Sequence, residues 1–99
     1  MRQWTTPINT FDTDIDLTDA EVIFITYEQG GTTVLEKTID DVTVTENAVS
    51  VKLTQEETGM FDDSLKVKMQ IRAKFPDGTA VASNKMETCV GEVLKTGEI

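Results

Sequence analysis

Histidine is absent from this chain of 99 residues, and cysteine, tryptophan and tyrosine occur once each. Each scarcity removes a class of chemistry. Without histidine there is no Ser-His-Asp arrangement, and most zinc sites lose their usual ligand. A single cysteine, Cys89, closes no internal disulfide, and no histidine is at hand to activate its thiol. One Trp and one Tyr make a thin platform for stacking sugars. No apolar run approaches the ~20 residues of a membrane-spanning helix. Met1-Arg2-Gln3-Trp4 has no apolar core of signal-peptide kind. The reading is therefore no signal peptide, no transmembrane segment and no membrane partner. Bases are also scarce, 9 against 18 acids, for a net charge of −9 and a pI near 4.3. Phosphate binding needs a basic footprint, so nucleic acid is not expected as a partner.

Phosphate-cradling glycine motifs are missing too: there is no Walker loop and no G-x-G-x-x-G. Carboxylate pairs exist, as glycoside hydrolysis would need, but Glu56-Glu57, Asp62-Asp63 and Asp40-Asp41 all fall in turn or cap positions. No catalytic, cofactor-binding or metal residue is assigned, and an enzyme is not expected. The acidic stretch Asp12 to Glu21 places Asp12, Asp14 and Asp16 at the first three ligand positions of an EF-hand loop. Leu17 then stands where that loop needs glycine, and Ile23 where it needs its closing glutamate. The stretch is read as an acidic loop with Asx-turn chemistry, with a weak calcium site as the alternative.

What is present is alternation. Leu65, Val67, Met69, Ile71, Ala73 and Phe75 alternate with Lys66, Lys68, Gln70, Arg72 and Lys74, the period of a half-buried strand. The return segment runs Thr79 to Val90. Pairing Phe75 with Ala80 sets Lys68 against Glu87 and Met69 against Met86, with Ala80, Ala82, Met86 and Val90 on the apolar face. A four-residue loop on a type I turn with Pro76 closes that hairpin. Before it come a short strand from Pro7 to Asp12 and a hairpin of Val22–Glu28 with Thr32–Ile39 about Gly30-Gly31. A third hairpin joins Val42–Thr45 to Ala48–Thr54. In the second, closure at the glycines puts Val34 with Ile23, Ile25 and Tyr27, and Leu35 and Ile39 with Phe24. Apolar residues on both faces of Val22–Glu28 suggest a strand covered on both sides. Thr54-Gln55-Glu56-Glu57 is a capping box, stopped after one turn by Gly59, with Met60 or Phe61 entering the core.

These elements predict one all-β domain, an immunoglobulin-like antiparallel β-sandwich of about seven strands with one short cross-over helical turn; a small barrel is the alternative. Residues 1–6 read as an arm, 7–90 as the sandwich and 91–99 as a tail. The candidate protein interface is Trp4 in the arm, the basic stripe Lys66, Lys68, Arg72 and Lys74, and Val93, Leu94 and Ile99 in the tail. The four stripe cations leave the rest of the chain with 18 acids and five bases, net −13. The stripe is either a solvated face partly neutralised by Glu87 or a docking face for an acidic partner. Trp4 either folds back near Phe24 or reaches a neighbouring subunit.

Several segments together resemble small β-sandwich proteins encoded among the virion structural genes of phages and prophages. They are Tyr27-Glu28-Gln29-Gly30-Gly31, Val34-Leu35-Glu36-Lys37, Val49 to Thr58 with Phe61, and Val90 to Ile99. The resemblance implies a structural role near a tail or baseplate, docking to itself or to another virion protein, located in the virion or the bacterial cytoplasm. It implies no cofactor and transfers no site residue. Oligomeric state is left open. The alternative function is a carbohydrate- or host-surface-binding β-sandwich module.

Overall fold

The computed structural model describes residues 1–99. Strands β1 (Ile8–Asp12), β2 (Val22–Gln29) and β3 (Thr32–Thr38) come first, then a 3-10 turn at Ile39–Asp41. Strands β4 (Val42–Thr45) and β5 (Ala48–Lys52), the helical turn α1 (Gln55–Gly59), β6 (Val67–Lys74), β7 (Ala80–Ala82) and β8 (Met86–Thr88) follow. One sheet has the order β1-β5-β4; the other runs β3-β2-β6, with β7 and β8 both on the far edge of β6. Every strand pair is antiparallel. Counting β7 and β8 as two halves of one return strand, seven strands stand three against four in the immunoglobulin-like order, with β3 beside the C position and no strand at the A position. Alternate residues of both sheets fill one core: Phe11, Val49 and Val51 from one, Ile23, Ile25, Tyr27, Val67, Met69, Ile71 and Ala73 from the other. Asn9 Nδ2 donates to the Tyr27 hydroxyl at 2.7 Å across the gap. That bond satisfies a phenol otherwise stranded in the core.

The capping box forms as read. Glu57 N donates to Thr54 Oγ1 at 3.1 Å and Thr54 N to Glu57 Oε1 at 2.9 Å. Between the two candidates for the core, Phe61 enters, its ring centroid 5.8 Å from that of Tyr27, while Met60 stays exposed.

Four details depart from the sequence reading. Strand β6 starts at Val67, and Leu65 is exposed, because the chain is still leaving the Asp62–Ser64 turn. Next, β3 carries a bulge: Gln29 pairs with Thr32 and Glu28 with Thr33, but Tyr27 pairs with Leu35. The extra residue brings Leu35, not Val34, opposite Tyr27, and sets Lys37 opposite Ile25 on the inner face. Third, the turn between β6 and β7 closes one residue earlier: Phe75 N donates to Thr79 O at 2.8 Å, so three residues, 76–78, lie inside the closing pair rather than four. Lys74 pairs with Ala80, and Gly78 takes φ 90° while its N–H reaches the Phe75 carbonyl at 2.9 Å. Ala80 and Ala82 therefore face solvent and Val81 faces the core. An extra residue between β7 and β8 restores the expected pairing of Lys68 with Glu87 and Met69 with Met86. Finally, β2 is covered on one side only, and Phe24 on its outer face is 38% exposed.

The crossover into β6 is held by Gln29, which is buried. Its Nε2 donates to the Asp62 carbonyl at 2.8 Å and the Leu65 carbonyl at 3.0 Å, and its Oε1 accepts from Asp62 N at 2.9 Å. Gln29→Leu leaves the Asp62 N–H and the Leu65 carbonyl without partners, each costing about 1–3 kcal/mol, while the Asp62 carbonyl keeps Leu65 N at 3.4 Å. The expected outcome is a loss of roughly 2–4 kcal/mol in urea unfolding, with faster exchange of the Asp62 amide. Unchanged Asp62 exchange would show that the crossover holds without Gln29.

Candidate protein interface

The outer face of the larger sheet carries the basic stripe. Lys68, Arg72 and Lys74 are exposed on β6, whereas Lys66 lies in the loop before it. Each faces a β2 residue: Glu28 opposite Lys68, Phe24 opposite Arg72, Val22 opposite Lys74. Lys74 reaches Glu21 at 3.5 Å. Lys68 has Glu28 and Glu87 on its two sides, yet Lys68, Arg72 and Lys85 make no ion pair. These three cations, together with Glu28, ring a shallow dent of about 100 Å³ over Thr26 and Gln70. Sequence reasoning missed Lys85 and the exposed Phe24. Lys85 falls in the unpaired stretch between β7 and β8, outside any period, and apolar residues on both faces of β2 suggest cover for Phe24.

The arm and the tail meet at the other end of β6. Gly91 N donates to Met1 O at 2.8 Å and Gln3 N to Gly91 O at 2.9 Å, around a parallel bridge between Arg2 and Gly91. Gln3 Nε2 reaches the Phe61 carbonyl at 2.5 Å. The fully buried Thr58 hydroxyl accepts from Thr5 N at 2.9 Å and donates to Thr5 O at 2.8 Å. Trp4 takes φ 58° in this corner and lies on Gly59, where a β-carbon would come within 2.6 Å of the indole. The indole thus packs on α1, not beside Phe24. In the tail, Val93 is half-buried, and Leu94 and Ile99 are 104% and 92% exposed. The backbone of Ile99 is nonetheless fixed: its N–H reaches Gln55 Oε1 at 2.8 Å, and Gln55 Nε2 reaches Ile99 O at 3.2 Å.

Between the Asp12–Leu17 loop and the β7–β8 edge lies an open cleft of about 340 Å³, with Ile71, Ala73, Val81 and Met86 among its walls. Leu17 and Ala20 anchor the loop in the core. Asp16 Oδ1 is occupied by Thr18, whose N–H and hydroxyl approach at 2.9 and 2.7 Å. The Asx turn read from the sequence is therefore present.

The same device recurs at Asp62 with Ser64 and Asp77 with Thr79. Backbone N–H donation by Thr18 and by Thr79, with their hydroxyls second, holds the Asp16 and Asp77 carboxyls below the ordinary range. At Asp62 the Ser64 hydroxyl leads and its N–H follows, with the same direction. Thr38 N does likewise for Asp41. For Glu57, burial pushes the carboxyl up, but hydrogen bonds from Lys37 and Thr54 outweigh it and the net direction is down. Lys37 reaches Glu57 because the β3 bulge turns it inward; its side chain is only 12% exposed. A charge aimed inward from an edge strand also discourages strand addition at that edge.

A carboxyl lowered by folding stabilises above its unfolded value and loses that contribution as pH falls through the folded one. Five carboxyls are shifted in that direction. The urea midpoint is therefore expected to stay level from neutral pH to about 5 and to decline from about 4.3 downward. Glu57→Gln should make that decline shallower. A parallel decline in the variant would show that Glu57 adds nothing to acid lability.

No protein-family model matches the chain. No curated protein matches it either. Among solved structures, the chain is similar to the V domain of amphioxus IgVJ-C2, at 13% identity over 91% of this chain and 96% of that one, with a TM-score of 0.39. No residue, ligand or role passes from that domain to this chain.

Proposed function

We propose that this chain is a non-enzymatic structural or assembly module, associated with the tail or baseplate of a phage or prophage virion, that docks to itself or to a neighbouring virion protein. The observation that carries this reading is the tail. Leu94 and Ile99 project into solvent from a segment whose backbone is fixed at Gly91 and again at Gln55. Apolar side chains presented on an ordered segment lose little freedom on binding, which suits an interface. The resemblance of Val90 to Ile99 and of the Tyr27–Gly31 turn to virion-gene sandwiches supports the setting, with the chain in the virion or the bacterial cytoplasm. The carbohydrate-binding alternative lacks a platform, since Tyr27 is fully buried and Trp4 lies on Gly59.

The test is capture of virion proteins by the full chain and by a Leu94→Asp, Ile99→Asp double variant, alongside sedimentation of both. Retention of a tail protein, or self-association, by the full chain and its loss in the variant is the expected result. Removing Met1–Thr6 is a poorer test, because that arm holds the Phe61 carbonyl and the Thr58 hydroxyl. A full chain that stays monomeric and captures no virion protein overturns the reading.

A further inference from the structure

We propose that the outer face of the larger sheet receives the acidic Asp12–Asp19 loop of a second copy of this chain, with Ile15 against Phe24 and Asp14 among Arg72, Lys85 and Lys68. This names a partner for the assembly reading and rests on it.

The receiving face has the two features such a contact needs. Phe24 lies uncovered at mid-strand, 38% exposed, directly opposite Arg72. Arg72, Lys68 and Lys85 stand around the adjoining dent without an ion pair of their own, three cations against the single carboxylate of Glu28 in its lining. An exposed aromatic beside unpaired cations accepts a carboxylate and an aliphatic side chain together.

The loop presents that pair of groups. Ile15 is 48% exposed, and its neighbours Asp14 and Asp16 are exposed as well. Asp14 makes no hydrogen bond or ion pair, so its charge is available. The loop is also pre-ordered. Leu17 and Ala20 are buried, Thr13 N donates to Asn47 O at 2.9 Å, and Asp16 closes on Thr18. Little freedom remains to be lost on docking.

The loop cannot satisfy the face of its own molecule. Its anchors enter the core from the inner side of the sheet, and its exit is tied to β6 by Glu21 N to Lys74 O at 2.9 Å. The contact is therefore intermolecular. Loop and face are different surfaces, so the contact is heterologous and repeats from copy to copy into a ring or filament.

Two copies of net charge −9 repel at long range while this contact attracts at short range, so salt dependence alone does not isolate it. A charge swap does. Arg72→Glu and Asp14→Lys each alter an exposed, unpaired residue, and far-UV circular dichroism checks that both variants keep the fold. In sedimentation velocity over a concentration series, each variant alone should self-associate at least about tenfold more weakly than the wild type. An equimolar mixture of the two should regain association, because the glutamate face of one meets the lysine loop of the other. Ile15→Ser should weaken association without changing the charge. Wild-type-like association in both single variants, or no recovery in the mixture, overturns the docking and leaves the assembly reading standing. So does a monomeric chain that still captures a virion protein. A monomer that captures none removes both.

Discussion

Phe61→Ala is expected to lower the unfolding free energy by about 3–5 kcal/mol, the usual cost of deleting a buried aromatic ring. The side chain is 1% exposed and its ring lies 5.8 Å from that of Tyr27, tilted by 50°. An aromatic pair in such a geometry adds about 0.5–1.5 kcal/mol beyond the area it buries. The position also organises its surroundings. Phe61 follows the helical turn, and its carbonyl takes the Gln3 amide, so the arm and α1 both register on it. Trp4, packed on Gly59 two residues earlier, reports the loss by fluorescence. Urea unfolding followed by tryptophan emission and by circular dichroism should shift together. A loss under about 1 kcal/mol would mean that α1 is not the plug of this end of the sandwich.

The helical turn around this ring was legible in advance because its signals are local. Thr54 and Glu57 cap each other over three residues, and Gly59 ends the turn where the Trp4 ring needs room. The Asx turns at Asp16, Asp62 and Asp77 are equally local. Strand β6 was legible from alternation, since Val67, Met69, Ile71 and Ala73 are all buried and the residues between them face outward.

Register was less legible. In β3 the bulge lies next to Val34-Leu35, two apolar residues in succession, so apolarity alone does not say which one faces Tyr27. In β7 the run Ala80-Val81-Ala82 is apolar throughout, and a one-residue shift exchanges its faces without disturbing the pattern. The Lys37–Glu57 pair depends on that β3 bulge, which no local propensity announces. The docked arm was missed for a related reason. Gln3, Thr5 and Thr58 hold it by hydrogen bonds, and polar contacts of this kind leave no period in the sequence. Of the candidate interface residues, the outward β6 cations could be placed from alternation. Phe24 could be placed on the outer face but not judged exposed, because exposure depends on whether anything crosses over it.

Ile25 and Ile71 make the last test, because they are direct neighbours across the β2–β6 pair yet differ in what surrounds them. Either Ile→Ala change is expected to cost roughly 2–5 kcal/mol. Ile25 is fully buried on the strand between β3 and β6, and the space left by its side chain would be closed on all sides. Such a void retains its energetic cost, about 24 cal/mol for each Å³ that neighbours fail to fill. Ile71 is 3% exposed and lines the 340 Å³ cleft beside the acidic loop. Space opened there joins the cleft and admits water, which removes part of the cavity cost and leaves chiefly the lost transfer energy. Its backbone is also held from outside the core, with Ser83 Oγ accepting from Ile71 N at 3.0 Å and Ser83 N donating to Ile71 O at 2.8 Å. Ile25→Ala should therefore fall in the upper half of the range and Ile71→Ala about 1 kcal/mol lower. Urea unfolding of the two variants under one set of conditions measures the difference. If Ile71→Ala proves the more damaging, the cleft is closed in solution and the loop from Asp12 to Leu17 packs over Ile71 more tightly than an open cleft allows.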